Sequence, residues 1–210
     1  MTRTTTLPQL LDRLSVMAQS DERQLVALAG PPGAGKSHVS DALAQGLAQT
    51  AAGRAAVLPM DGFHLDDGLL SARGDLPRKG APHTFDLDGF AVMLDRLAAD
   101  DGRNVLAPVF DRNLEISRAG AREIAPSTRL IVVEGNYLLL DRPGWCDLGR
   151  HFALTVFLQV PQAVLQRRLM ARWRNLPRDQ AKTKLEANDL PNMRLVCEAS
   201  RPADLVLDNA

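Results

Sequence analysis

The chain has 210 residues, enough for one α/β domain with a lid or insertion, and its 25 basic and 25 acidic residues cancel. That balance gives no global reason for binding nucleic acid or an anionic membrane. No apolar run reaches the ~20 residues of a membrane span, and Met1-Thr2-Arg3-Thr4-Thr5-Thr6 lacks the apolar core of a signal peptide, so the expected location is the cytoplasm. Cys146 and Cys197 have neither C-x-x-C spacing nor His partners at metal spacing, and the expectation for both is a buried small residue.

Leu7, Leu10, Leu11, Leu14 and Met17 recur at a helical period and predict a short helix ahead of the first strand. Residues 24–29 are a short apolar run suited to a buried parallel strand, and residues 37–51 read as a helix. Between them Gly30-Pro31-Pro32-Gly33-Ala34-Gly35-Lys36-Ser37 fits G-x-x-x-x-G-K-[ST] at every fixed position. The glycines permit a tight turn that brings backbone N–H groups to bear on phosphate oxygens, and the helix adds the positive end of its dipole. Lys36 is then expected on the β- and γ-phosphates and the Ser37 hydroxyl on Mg²⁺, with Gly30 to Ser37 and the adjoining His38 as candidate nucleotide contacts.

Residues 54–60 predict a second strand, which Pro59 confines to an edge or to the last of its pairing. Its carboxyl end delivers Asp61-Gly62-Phe63-His64, at the position where open α/β sheets bind ligands. Asp61 is a candidate general base toward an acceptor hydroxyl, or a carboxylate for Mg²⁺; an Asp-Gly turn without chemistry has the same letters. Residues 65–84 lack periodicity and predict a functional loop, with Arg73, Arg78, Lys79 and His83 giving it a positive side for an anionic substrate. Residues 86–99 form an amphipathic helix with Asp86 as its cap.

A strand over 105–110 and the polar stretch up to Ile124, which carries Asp111 and Arg112, predict a small hairpin beside the substrate. Residues 129–135 are the clearest strand, apolar throughout and ending in Glu134, the layout in which a carboxylate organises Mg²⁺ and water near a phosphate loop. A strand at 152–160 leads into a helix over 161–175 whose other face carries Arg167, Arg168, Arg172 and Arg174, with Arg178 beyond it. Residues 204–207 are the expected last strand. Arginines on that helix are placed to close over a nucleotide, although a chain with 21 arginines against four lysines must leave most of them as ordinary surface.

Taken together, the phosphate loop, Asp61-Gly62-Phe63-His64, Arg78 to Asp86, Pro108-Val109-Phe110-Asp111 and Glu134-Gly135-Asn136-Tyr137-Leu138-Leu139 resemble the P-loop kinase family of phosphoribulokinase, uridine kinase and pantothenate kinase. The resemblance covers about residues 20–208, and within the family it is strongest to bacterial proteins described as fructose transport system kinases. It implies a P-loop NTPase fold with about five parallel strands ordered 2-3-1-4-5, a single domain over 1–210, substrate-side insertions at 65–84 and 105–124, and a lid at 165–190. It further implies ATP and Mg²⁺ as cofactors, Asp61 as the residue taking the acceptor's proton, Glu134 near the metal, and Arg168, Arg172 and Arg174 in the lid helix. The implied substrate side comprises Asp61, His64, Arg78, Lys79, His83, Asp111, Arg112, Glu134 and Asn136, with a small molecule as partner and a homodimer as one option for assembly.

The departures bear on the acceptor. Uridine kinases have a Y-D-x-x-x-H-x-R pattern in the hairpin, whereas here Phe110-Asp111-Arg112-Asn113-Leu114-Glu115-Ile116-Ser117 offers neither the Tyr hydroxyl nor the His, and His83 replaces an acid after Pro82. Both changes count against uridine and favour a sugar or another small alcohol. The rival from another class is a nucleotide-switched regulator. It calls for a guanine-reading N-K-x-D, of which Thr183-Lys184-Leu185-Glu186 is only a loose echo.

Overall fold

The computed structural model describes residues 3–210. In chain order the strands are β1 (Arg3–Thr5), β2 (Gln24–Ala29), β3 (Ala55–Pro59), β4 (Val105–Asp111), β5 (Ile116–Ile124), β6 (Leu130–Gly135), β7 (Phe152–Gln159) and β8 (Leu205–Asp208). The helices are α1 (Leu7–Met17), α2 (Lys36–Thr50), α3 (Asp67–Arg73), α4 (Leu87–Ala99), α5 (Gln162–Arg172), α6 (Arg178–Lys184) and α7 (Leu190–Ala199). Six strands pair in parallel in the order β1-β8-β7-β2-β6-β3, and β4 and β5 form a separate antiparallel hairpin.

The five expected strands thus stand in their expected order as β3-β6-β2-β7-β8, and β1 makes a sixth against β8. β1 left no apolar signal because it is only Arg3-Thr4-Thr5, with Thr5 its one buried residue. β3 is the edge strand, as Pro59 requires of a residue without a ladder donor.

Both faces of the sheet are covered, which is why β2 and β6 read as unbroken apolar runs. Leu25, Ala27 and Ala29 of β2, with Ile131 and Val133 of β6, pack against Phe90, Leu94 and Leu97 of α4 and against Tyr137 and Trp145. The alternate residues Val26, Leu28, Leu130 and Val132 face Leu10 and Leu14 of α1, Val39, Leu43 and Leu47 of α2, and Leu165 and Leu169 of α5. α1 starts at a capping box in which the Gln9 backbone N–H donates to the Thr6 hydroxyl and the Thr6 backbone N–H donates to the Gln9 side chain.

Three expectations need correction. Residues 65–84 are not irregular throughout: the Asp66 carboxylate accepts from Gly68 N at 2.8 Å to open α3, and Gly74 closes it in the left-handed region. This helix buries only Leu70, so no apolar period announces it. The helix expected over 161–175 ends at Arg172, where Trp173 turns away to bond Asp189, and α6, a π-helical turn (Leu185–Asp189) and α7 follow. The cysteines are free, Cys146 half-buried and Cys197 exposed; α7 buries Asn192, Met193 and Val196 and turns Cys197 outward.

Arg23, with a side chain 1% exposed, ties the start of β2 to the segment that leads into β6 and to the end of α4. It donates to the carbonyls of Thr128, Leu97, Ala125 and Pro126 and pairs with Asp100 at 2.8 Å. Arg23→Ala leaves these acceptors without their donor in a dry site and is expected to cost about 3–5 kcal/mol. Urea unfolding of the variant beside the wild type measures it.

Candidate active site

The register of the central strands brings three loops to one end of the sheet. Glu134 of β6 stands beside Leu28 of β2 and Pro59 of β3. Beyond Leu28 the chain becomes the glycine loop, and beyond Pro59 it enters a 3₁₀ turn (Met60–Phe63) that carries Asp61. The loop, Asp61 and Glu134 are therefore neighbours because β2, β6 and β3 are.

In the loop, Gly33 and Gly35 have φ of 84° and 85°, and Gly35 caps α2. A Cβ on Gly35 would also stand 2.8 Å from the Asn209 side chain and displace it, but it is the left-handed φ that favours glycine there. Asn209, just past β8, donates from Nδ2 to the Ala34 carbonyl at 2.7 Å. Arg168 of α5 donates to the Asn209 carbonyl from both terminal nitrogens at 3.1 Å and reaches the Gly33 carbonyl at 3.5 Å. Pro31, Pro32 and Ala34 are buried, while Ser37 and His38 are exposed at the start of α2.

Lys36 is only 8% exposed, and its ammonium donates to the Pro31 carbonyl at 3.2 Å and to Asn136 Oδ1 at 2.5 Å. Burial lowers its pKa, and the charges of Glu134 and Asp61 oppose that fall. Burial raises the pKa of Glu134 to about 7, with Lys36 acting in the other direction. Asn136, expected on the substrate side, is the hydrogen-bond partner of Lys36.

Asp61 is held from two sides. Its carbonyl accepts from His64 Nδ1 at 2.8 Å, so that nitrogen carries the proton, and its carboxylate accepts from Arg112 at 2.7 Å. His64 is packed between Phe85 and Phe110, with ring centroids 4.1 and 4.6 Å away, and burial lowers its pKa, leaving it uncharged near neutrality. Gly62 is a glycine for a steric reason, since a Cβ there would lie 2.5 Å from the Pro108 carbonyl of β4. That close approach lays the hairpin alongside Asp61.

The other expected residues are dispersed around this centre. Arg78 donates to the Ala187 carbonyl and to Asn192, fastening the segment after α3 to the π-helical turn. Lys79 pairs with Asp67 at 2.5 Å and lies over the Phe110 ring, and the exposed His83 lies 3.5 Å from Asp75. Asp111 accepts from the backbone N–H groups of Asn113 and Leu114, which fixes the hairpin turn. Arg172 lies close enough to Lys36 to act on its charge, while Arg174 is exposed. Asn209 was missed by sequence reasoning. The available signal was its place just past a parallel strand.

Among the described residues no three His, Cys, Asp or Glu side chains form a metal cage. The donors at the loop mouth are the Ser37 hydroxyl and the Glu134 and Asp61 carboxylates, a set suited to Mg²⁺ that arrives with phosphates and keeps much of its water.

A glycine loop that opens a helix beneath a parallel sheet, with carboxylates at the ends of the two strands alongside, defines a P-loop nucleotide-binding protein of the kinase class. No protein-family model matches the chain. A Schizosaccharomyces pombe protein provisionally named uridine kinase C227.14 is 30% identical over 209 residues, covering 95% of this chain and 88% of the relative. The uncharacterised protein YggC of Escherichia coli is 34% identical over 190 residues, 89% of this chain and 78% of its own length. A crystal structure from Silicibacter sp. TM1040, provisionally named a fructose transport system kinase, superposes with a TM-score of 0.86 at 44% identity over 96% of this chain and 98% of that one. The chain belongs to the P-loop kinases of the uridine kinase and phosphoribulokinase type, the ATP-dependent small-molecule kinases.

The buried Glu134 sets a pH dependence. Its pKa is raised from 4.5 to about 7, so within that window the folded state holds a proton that the unfolded state has lost. Stability of the nucleotide-free, chelator-treated protein is expected to fall as pH rises from 5 to 7, by about 3 kcal/mol at most. Urea unfolding across that range reads the slope, and Glu134→Gln is expected to flatten it.

Proposed function

We propose that the chain transfers the γ-phosphoryl group of ATP to a hydroxyl of a small molecule, with a sugar as the favoured acceptor class. The observation that carries the reading is the convergence of Lys36, Glu134 and Asp61 at the carboxyl ends of three adjacent strands. Mg²⁺ would be held by Ser37, with Glu134 and Asp61 close by, and would supply charge neutralisation to the phosphates when bound.

Lys36 exchanges its bond to Asn136 for a phosphate oxygen. Asp61 accepts the proton as the acceptor oxygen bonds to the γ-phosphorus, and the bond to the β–γ bridging oxygen breaks with its electron pair leaving on ADP. Arg172 and Arg174 stand on the segment proposed as the lid, placed to exclude water and limit hydrolysis. Arg168 works from below, holding the loop through Gly33 and Asn209.

A nucleoside acceptor is the second reading, and the name of the fission-yeast relative favours it. Phe110 and the absence of a hairpin His weigh against uridine, because a site that reads a base by hydrogen bonds discriminates strongly once its partners are missing.

The test is ADP release from Mg²⁺-ATP with a panel of fructose and other sugars, uridine, cytidine, pantothenate and ribulose 5-phosphate. One compound is expected to stimulate release, and Asp61→Ala to lower kcat at least ~10³-fold with ATP affinity changed less than about threefold. A slow release indifferent to every compound and to the variant would point instead to a nucleotide-switched regulator. Asn209→Ala, which frees the Ala34 carbonyl, is expected to raise the KM for ATP about 3- to 10-fold with a smaller change in kcat, read in the same assay.

A further inference from the structure

The carboxylate proposed to take the acceptor's proton is already engaged. Arg112 Nη2 lies 2.7 Å from Asp61 Oδ2, with the guanidinium 64% exposed and the carboxylate 25%. The arginine sits in the turn of the hairpin, whose backbone is fixed by the bonds from Asn113 and Leu114 to Asp111 and by Glu115 at a φ of 56°.

The other cations of this hairpin and its surroundings have partners of their own. Lys79 is 13% exposed and shared between Asp67 and the Glu115 carbonyl. Arg118 lies 3.5 Å from Asp111, and Arg122 donates to the Val57 carbonyl. Among the described residues, Arg112 has Asp61 as its sole hydrogen-bonding or ion-pair partner.

We infer that Arg112 is a specificity-determining residue that reads an anionic group on the acceptor, so that the substrate is an alcohol bearing a carboxylate or a phosphate rather than a neutral sugar. The inference rests on the kinase reading of the site. Arg112 holds one oxygen of Asp61 and leaves Oδ1 available to the acceptor hydroxyl, and a neutral acceptor offers the guanidinium no charged partner of its own. An anionic group gives the guanidinium a bidentate partner in place of the one it loses. Binding of that group then draws Arg112 off Oδ2 and adds that oxygen to Oδ1 as an acceptor for the hydroxyl proton.

The experiment compares matched alcohols in the ADP-release assay: glycerol, glycerate and glycerol 3-phosphate, and fructose, gluconate and fructose 6-phosphate. In the wild type an anionic member is expected to exceed its neutral counterpart at least ~10-fold in kcat/KM, and the responding arm tells carboxylate from phosphate. Arg112→Gln is expected to raise the KM for that acceptor about 10- to 100-fold while the KM for ATP moves less than about threefold, and Arg112→Lys to recover part of the loss. Preference for the neutral members, or an anionic preference that survives Arg112→Gln, overturns the inference and leaves the kinase reading standing. Failure of all six compounds, and of uridine and pantothenate, to raise ADP release above the Asp61→Ala background overturns both.

Discussion

Burial of the Lys36 ammonium is the constraint on which the site depends. A lone charge in so dry a place is costly, and Lys36 remains there because the Pro31 carbonyl, Asn136 and the field of Glu134 surround it. The partners come from two stretches of chain. The carbonyl comes from the loop's own turn, while Glu134 near the end of β6 and Asn136 just past it come from the strand alongside. A lysine held this way is pre-oriented toward the loop mouth, and what it exchanges for a phosphate oxygen is a neutral amide that costs little to release. Glu134 shares the arrangement in reverse, because the same dryness pushes it toward its protonated form.

Close packing of main chain completes the arrangement at two glycines. At Gly35 the missing side chain leaves room for Asn209, and through it for Arg168, so the loop is held by β8 and α5 as well as by its own turn. At Gly62 it leaves room for Pro108, so the hairpin lies directly over the turn bearing Asp61. The nucleotide side is thus fixed by a glycine in the left-handed region beside the Asn209 side chain, and the acceptor side by a backbone contact that excludes a Cβ. Between them stands Asp61, tied to His64 by its carbonyl and to Arg112 by its carboxylate.

The parts legible in the sequence were those carried by period or by spacing. Five strands, the loop and the positions of Asp61 and Glu134 followed from apolar runs and from what stood at their ends, while the strand order came with the family resemblance. β1 escaped because three residues with one buried threonine have no period. α3 escaped because its evidence lay in the caps Asp66 and Gly74 and not in an apolar face. The roles of Arg168 and Asn136 were illegible for another reason: an arginine on a helix reads the same whether it faces a phosphate or a carbonyl. Asn209 contacts Ala34 only because β8 and β2 are separated by one strand, a fact of topology that no local pattern carries. The ion pair of Arg112 with Asp61 likewise depends on the path of the hairpin across Gly62.

The central place of β2 has a consequence for how the chain assembles. Its ladder partners, β6 and β7, lie about a hundred residues or more further along, since Gln24 pairs with Leu130 and Leu25 with Phe152. During synthesis the strand emerges early, apolar on both faces, and waits for neighbours that do not yet exist. Folding of this topology is consequently governed by the closure of long loops, with the exposed strand open to wrong pairing in the interval. Part of what holds the phosphate loop, the most local motif in the sequence, thus comes from Asn209, 175 positions beyond the Ala34 carbonyl it bonds.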